Sequence, residues 1–228
     1  MLTADLLAYR QVFENELIND ILDYWITYSN EKDGHGFYGA VDMNNLPVPG
    51  ANKSCVLNAR ILWTFSAAAM RYQDERYAGM AGKAYRVLCG DFSDPESGGY
   101  FMELTADNHV ADDIKHTYAQ AFAIYSLCKY YQFNPSEEVM NRIQRDFYLF
   151  EEKTKVKDKA GYGEAFTRDW QPIGENRMAD HNEPRSMNTH LHVMEAYAAL
   201  YSVWKNEGVK LRLRELLMLF TSHIIRND

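Results

Sequence analysis

Apolar residues recur every three or four positions from 2 to 28, at Leu6, Tyr9, Phe13, Leu17, Ile21 and Trp25. Glu14, Asn19 and Asp23 fall between them. That spacing predicts one amphipathic helix on the outside of a larger body. A polar turn at 30–34 ends it. From 54 to 72 the pattern changes: Leu57, Ile61, Leu62, Phe65 and Ala68 wrap nearly all the way round. A helix apolar on every side is enclosed by other helices. The next stretch, 74–88, mixes Arg76, Lys83 and Arg86 with apolar positions and reads as peripheral.

The alternation then repeats. Residues 114–131 read as enclosed. Asn134-Pro135-Ser136-Glu137 predicts the start of an outer helix, with Asn134 as cap, Pro135 first inside and an acid soon after. Residues 186–204 are again enclosed, and 211–225 amphipathic. Glycine–aromatic segments precede the enclosed helices: Gly36-Phe37, Gly99-Tyr100 and Gly161-Tyr162. They read as short hairpins. The unit, a hairpin with an inner and an outer helix, recurs about every 60 to 70 residues, as in stacked supersecondary repeats. The expectation is an all-α chain of about seven helices in a single domain, 1–228.

Matching the enclosed helices on Phe65, Tyr125 and Tyr197 brings Arg60, Gln120 and His192 into register, and likewise Val56, His116 and Asn188. Polar groups at one end of otherwise apolar helices predict a ligand-filled or water-filled cavity there. Arg60 is either half of a salt bridge or a guanidinium for developing negative charge. His116 and His192 are acid–base candidates, since imidazole titrates near neutrality. Each could equally be a satisfied core histidine. His190 points elsewhere on its helix and reads as structural or as a rim residue. His35, His109 and His181 lie in loops and carry no signal. Trp63 is core or pocket wall, and Trp170, in a loop, is expected to be an exposed stacking platform for a sugar face. Glu195 could bond a sugar hydroxyl or a histidine, or be a solvated helix acid.

The chain carries 16 Tyr, 11 Phe and 4 Trp, which suits a pocket for sugar rings or an ordinary core. A net charge of −8 argues against nucleic acid as partner. No uncharged apolar run is long enough for a membrane span, and no secretory leader opens the chain. Cys55, Cys89 and Cys128 are dispersed in apolar stretches, which predicts free buried thiols, a reducing compartment and a cytoplasmic location. Neither a nucleotide loop nor a metal-ligand cluster is recognisable, so no cofactor or metal is expected.

Three blocks together carry a resemblance. They are Asn58-Ala59-Arg60-Ile61-Leu62-Trp63, Lys115-His116-Thr117-Tyr118-Ala119-Gln120 and Asn188-Thr189-His190-Leu191-His192-Val193-Met194-Glu195. In this order they closely resemble the N-acylglucosamine 2-epimerase and cellobiose 2-epimerase family, on its cellobiose side. The resemblance implies an (α/α)6 toroid that inverts C2 at the reducing end of a free sugar. In that chemistry the ring opens, one histidine removes the C2 proton to give a cis-enediolate, and another returns a proton on the other face. Arg60 then corresponds to the arginine steadying the C1 and C2 oxygens. Tyr118, Asn188 and His192 correspond to pocket residues, with His192 assisting ring opening and His116 bordering them. The family's two proton-transferring histidines come from the second half of the toroid. An incomplete toroid is therefore expected, with an open edge prone to self-association. A non-catalytic sugar-binding relative and a glycoside hydrolase of a related toroid remain the alternatives.

Overall fold

Seven helices alternate between an inner and an outer layer among the described residues, which in this computed structural model are 2–32, 34–157, 159–174 and 183–225. The loop histidine at 181 lies outside them. Helix α1 (Leu2–Asn15) continues through wider π-type turns to Ser29. Then follow α2 (Cys55–Tyr72), α3 (Glu75–Cys89), α4 (Thr117–Phe133), α5 (Glu137–Thr154), α6 (Met187–Val203) and α7 (Glu207–Leu219). Helix α4 packs between α2 and α6, while α3, α5 and α7 lie against α2, α4 and α6 respectively. Leu62, Phe65, Leu127, Phe147, Tyr197 and Leu200 belong to the core between the layers. This is the pattern of an (α/α) toroid over part of its ring.

The connections hold little sheet. Strands β1 (Lys53–Ser54), β2 (Glu103–Leu104) and β3 (Val110–Asp112) form one antiparallel group, and β4 (Lys115–His116) pairs with β5 (Ala165–Phe166). The glycine–aromatic segments form single bridges back to the chain leaving the preceding outer helix: Asn30 with Phe37, Ser93 with Tyr100 and Lys155 with Tyr162. Their recurrence, about every 60 residues, is the repeat seen in the sequence.

Two helix starts differ from the sequence reading. The cap of α5 is Ser136, not Asn134: Ser136 is extended, and its Oγ accepts from the Val139 N–H at 3.2 Å. Asn134 instead closes α4 by donating its N–H to the Tyr130 carbonyl. Helix α7 begins at Glu207 rather than near 211, because the Asn206 carboxamide oxygen accepts from the Gly208 and Val209 N–H groups. Gly208 and Lys210 had thinned the apolar pattern there. Leu211, Leu217, Met218 and Ile225 are exposed.

A polar residue in the second turn of each inner helix faces outward. The Asn58 amide donates to the Ala84 carbonyl at 2.9 Å. The Gln120 side chain accepts from the Tyr100 N–H at 2.9 Å and donates to the Tyr100 carbonyl at 2.8 Å. His190 Nε2 accepts from the Tyr162 N–H at 3.0 Å, and Nδ1 contacts the Ser186 carbonyl at 2.7 Å. Burial holds His190 below the ordinary imidazole range, in keeping with a neutral ring. Its structural reading stands.

The Gln120 and His190 clamps each leave room for no side chain beyond glycine beside them, at Gly99 and Gly161. Gly161 has φ +95°, and an added Cβ would lie 2.5 Å from His190 Nε2. Gly161→Ala is expected to cost about 1–3 kcal/mol in urea unfolding. Gly79→Ala, in the open on α3, should instead stabilise by about 0.4–1 kcal/mol. Equal effects at the two sites would show that the clamp imposes nothing on the backbone.

Candidate functional site

Each inner helix starts on a side-chain cap: Ser54 for α2, His116 for α4 and Ser186 for α6. Counted from those caps, Arg60, Phe122 and His192 lie at one level, and Trp63, Tyr125 and Glu195 at another. Contacts follow these levels. The Arg60 guanidinium carbon stands 4.7 Å from the Phe122 ring centre. The His192 ring lies 4.6 Å from Phe122 and 4.8 Å, edge-on, from Tyr118. One turn on, Trp63 stacks on Tyr125 at 5.6 Å, with Lys129 Nζ 5.5 Å from the indole. Near the far ends, the Gln132 amide donates to Ser202 Oγ at 3.1 Å. Contacts in register along their whole length mean that α4 and α6 run side by side in one direction.

The inner face is therefore a groove. At its upper end Arg60 is exposed and Asn188 open to solvent, while His192 is half-buried and Tyr118 buried. Below them Trp63, Tyr125, Lys129, Gln132, Glu195 and Ser202 line a hollow of about 340 Å³. Arg60 takes no part in an ion pair among the described residues; it lies over an aromatic face instead. A guanidinium held this way keeps its donors for a ligand. His192 Nδ1 lies 2.7 Å from Glu195 Oε2. Flat aromatic walls with few polar groups suit a sugar ring.

Three sequence expectations change. His116 does not share this face. It is fully buried, and its Nδ1 accepts the Tyr118 N–H at 3.2 Å as the cap of α4. Protonating that nitrogen would break the cap and put a positive charge at a helix N-terminus, which opposes proton shuttling there. Gln120, matched earlier with Arg60 and His192, points to the Tyr100 loop. Phe122 takes its level. The aromatic alignment had placed α4 two residues out of register, and at 3.6 residues per turn that turns a side chain to nearly the opposite face. Aligning the caps would have found Phe122 and Tyr125.

Trp170 is the third correction. It is buried rather than an exposed platform, in a left-handed backbone conformation at φ +68°. Its indole N–H donates to the Ser97 carbonyl at 2.9 Å, and its ring fills the space a Cβ on Gly99 would need. The neighbouring Arg168 bonds both carboxylate oxygens of Asp94, at 2.9 and 3.0 Å. Lys115 Nζ, fully buried, reaches Asp94 at 2.8 Å. Burial alone would raise the Asp94 carboxyl, but hydrogen bonds from Arg168, Lys115 and the Glu96 and Ser97 N–H groups hold it well below the usual carboxylate range. This network and Trp170 fasten one loop of the rim to the next.

Residues 36–228 match the N-acylglucosamine 2-epimerase (GlcNAc 2-epimerase) family. This chain belongs to that family. It is 38% identical over 221 residues to a cellobiose 2-epimerase of Bacteroides fragilis, covering 96% of this chain and 56% of that one. It is 39% identical over 192 residues to a cellobiose 2-epimerase of Eubacterium cellulosolvens, covering 83% and 47%. The solved cellobiose 2-epimerase of Spirochaeta thermophila superposes with a TM-score of 0.91 at 32% identity, over 98% of this chain and 56% of that structure. This epimerase-family chain thus spans about half the length of the relatives it matches. An α-mannanase of Bacteroides thetaiotaomicron, at 16% identity and TM-score 0.70 over 91% of this chain and 54% of that structure, shares the fold alone. No helix among the described residues is long and apolar enough to cross a membrane. Cys55 and Cys128 are buried and Cys89 half-buried, all as free thiols, and burial pushes Cys55 and Cys89 up to about 12.

Proposed function

We propose that this chain forms the substrate-side wall of a sugar 2-epimerase that inverts C2 at the reducing end of a cellobiose-type disaccharide. The observation that carries the reading is Arg60 and His192 both packing on one ring, Phe122, at the upper end of the groove. Inversion at C2 passes through an enediolate whose charge spreads over O1 and O2. A guanidinium that keeps its donors for a ligand can bind those two oxygens and gains most when they are charged. His192 moves a proton during ring opening, where one is lost from the anomeric hydroxyl and one is gained by the ring oxygen. Trp63 and Tyr125 offer flat surface to an apolar sugar face. Tyr118 and Asn188 flank the reacting end. Glycoside hydrolysis fits less well, because it needs two carboxylates across the bond. Glu195, the carboxylate at this level, is tied to His192.

The resemblance assigns the exchange at C2 to histidines from the second half of the toroid. The 228-residue chain alone, incubated with cellobiose in heavy water, is therefore expected to leave C2 without deuterium above the no-enzyme rate. Fused to the second half of the Bacteroides fragilis cellobiose 2-epimerase, it should incorporate deuterium at C2 and yield the mannose-ended epimer. Exchange by the isolated chain would overturn the assignment. A folded fusion that binds cellobiose without exchange would mark a sugar-binding relative, and release of glucose would mark a hydrolase. Sedimentation of the isolated chain at two concentrations tests self-association through the exposed edge of α7.

A further inference from the structure

We propose that Glu195 is a positioning residue for His192: its carboxylate takes the Nδ1–H bond and so leaves Nε2 as the nitrogen that exchanges a proton with the sugar. This rests on the reading of His192 given above. The contact between His192 Nδ1 and Glu195 Oε2 is 2.7 Å, made between residues one turn apart on α6. A carboxylate only accepts. At that distance the imidazole must donate, which requires the hydrogen on Nδ1. A neutral His192 then carries its lone pair on Nε2.

The surroundings support a fixed ring rather than a loose surface pair. Phe122 and Tyr118 of α4 both pack on the His192 ring, at 4.6 and 4.8 Å. The His192 side chain is only 17% exposed, whereas Glu195 is 46% exposed, so the histidine is the enclosed partner. The charged and titratable groups facing it are Glu195 on its own helix, Tyr118 on α4 and, across Phe122, Arg60 on α2. Lys129, further down the groove, is held by Gln132 at 2.7 Å and lies over Trp63. Glu195 is thus the one carboxylate in this set. His190, two residues earlier, differs in kind: both its ring nitrogens are spent on the backbone. His192 spends only Nδ1 on the protein.

The test reads the tautomer directly. Long-range proton–nitrogen spectra of the 228-residue chain above neutral pH, with the His192 signals assigned by their loss in His192→Gln, should show the hydrogen on Nδ1. Glu195→Gln, whose amide oxygen can still accept, should keep that tautomer; Glu195→Ala should lose it in favour of the hydrogen on Nε2. In the fused enzyme Glu195→Ala should lower kcat roughly 100-fold with KM little changed, and Glu195→Gln should recover most of it. An Nε2–H tautomer in the unsubstituted chain, or an unchanged one in Glu195→Ala, overturns the proposal. A raised KM at constant kcat also overturns it, by making Glu195 a sugar ligand. Should the fused enzyme fail to epimerise at all, the function has failed, while the spectra of the chain still decide the role of Glu195.

Discussion

Asp94→Asn is expected to lower the stability of the fold by about 3–5 kcal/mol at neutral pH, because it leaves a buried lysine without its counter-ion. Lys115 and Asp94 are both fully buried at the side chain, and no water can replace the lost carboxylate cheaply. Changing both partners, Asp94→Asn with Lys115→Met, should cost less than Asp94→Asn alone, since the stranded charge is then gone. Acid should erase the difference. The Asp94 carboxyl is held below its unfolded value, so its contribution is complete above the ordinary carboxylate range. It is lost as pH falls through the lower, folded value. Urea unfolding at pH 7 and at a series of pH values below about 4 measures both effects. A gap that stayed constant into strong acid would mean that the network owes its stability to packing, not charge.

Arg60→Ala should have the opposite profile, with little loss of stability and a large loss of turnover. Arg60 is exposed and rests on Phe122 without an ion pair among the described residues, so its removal should change stability by less than about 0.5 kcal/mol. In the fused epimerase, kcat/KM for cellobiose should fall about 100- to 1,000-fold, the usual loss when one donor to a developing oxyanion is removed. Trp170→Ala is the contrast. As a buried loop anchor it should cost about 3 kcal/mol of stability, and the enzyme that still folds should lose far less activity. Equal kinetic losses in the two variants would show that the charge-stabilising role belongs elsewhere than Arg60.

Helix layers were legible because burial writes a period into the sequence. The all-round apolar 54–72, 114–131 and 186–204 could only be inner helices, and the repeat followed from the glycine–aromatic segments. Arg60, Asn188 and His192 became candidates because polar groups stand out against such helices, whereas Tyr118 was reached only through the family resemblance. What failed was rotation. A polar residue in an enclosed helix can face a cavity or a loop, and composition treats Gln120 and His116 alike in either case. Only the caps fix which way each helix is turned, and His116 is an uncommon cap that looked like a catalyst. Trp170 was misplaced for a different reason: its left-handed backbone and its bond to Ser97 are set by a distant loop, which no local pattern records.

The fastening of one rim loop to the next also orders events in time. Asp94 and Lys115 leave the ribosome close together, but Arg168 and Trp170, which close the turn at residues 94–100, emerge only after α5 has been made. Until then that turn has its ion pair but no cover. A nascent chain paused within α5 should be cut by protease in this turn far faster than one paused after residue 174. This turn of the rim is thus the last part of its repeat to become protected, while the helices beneath it already hold their shape.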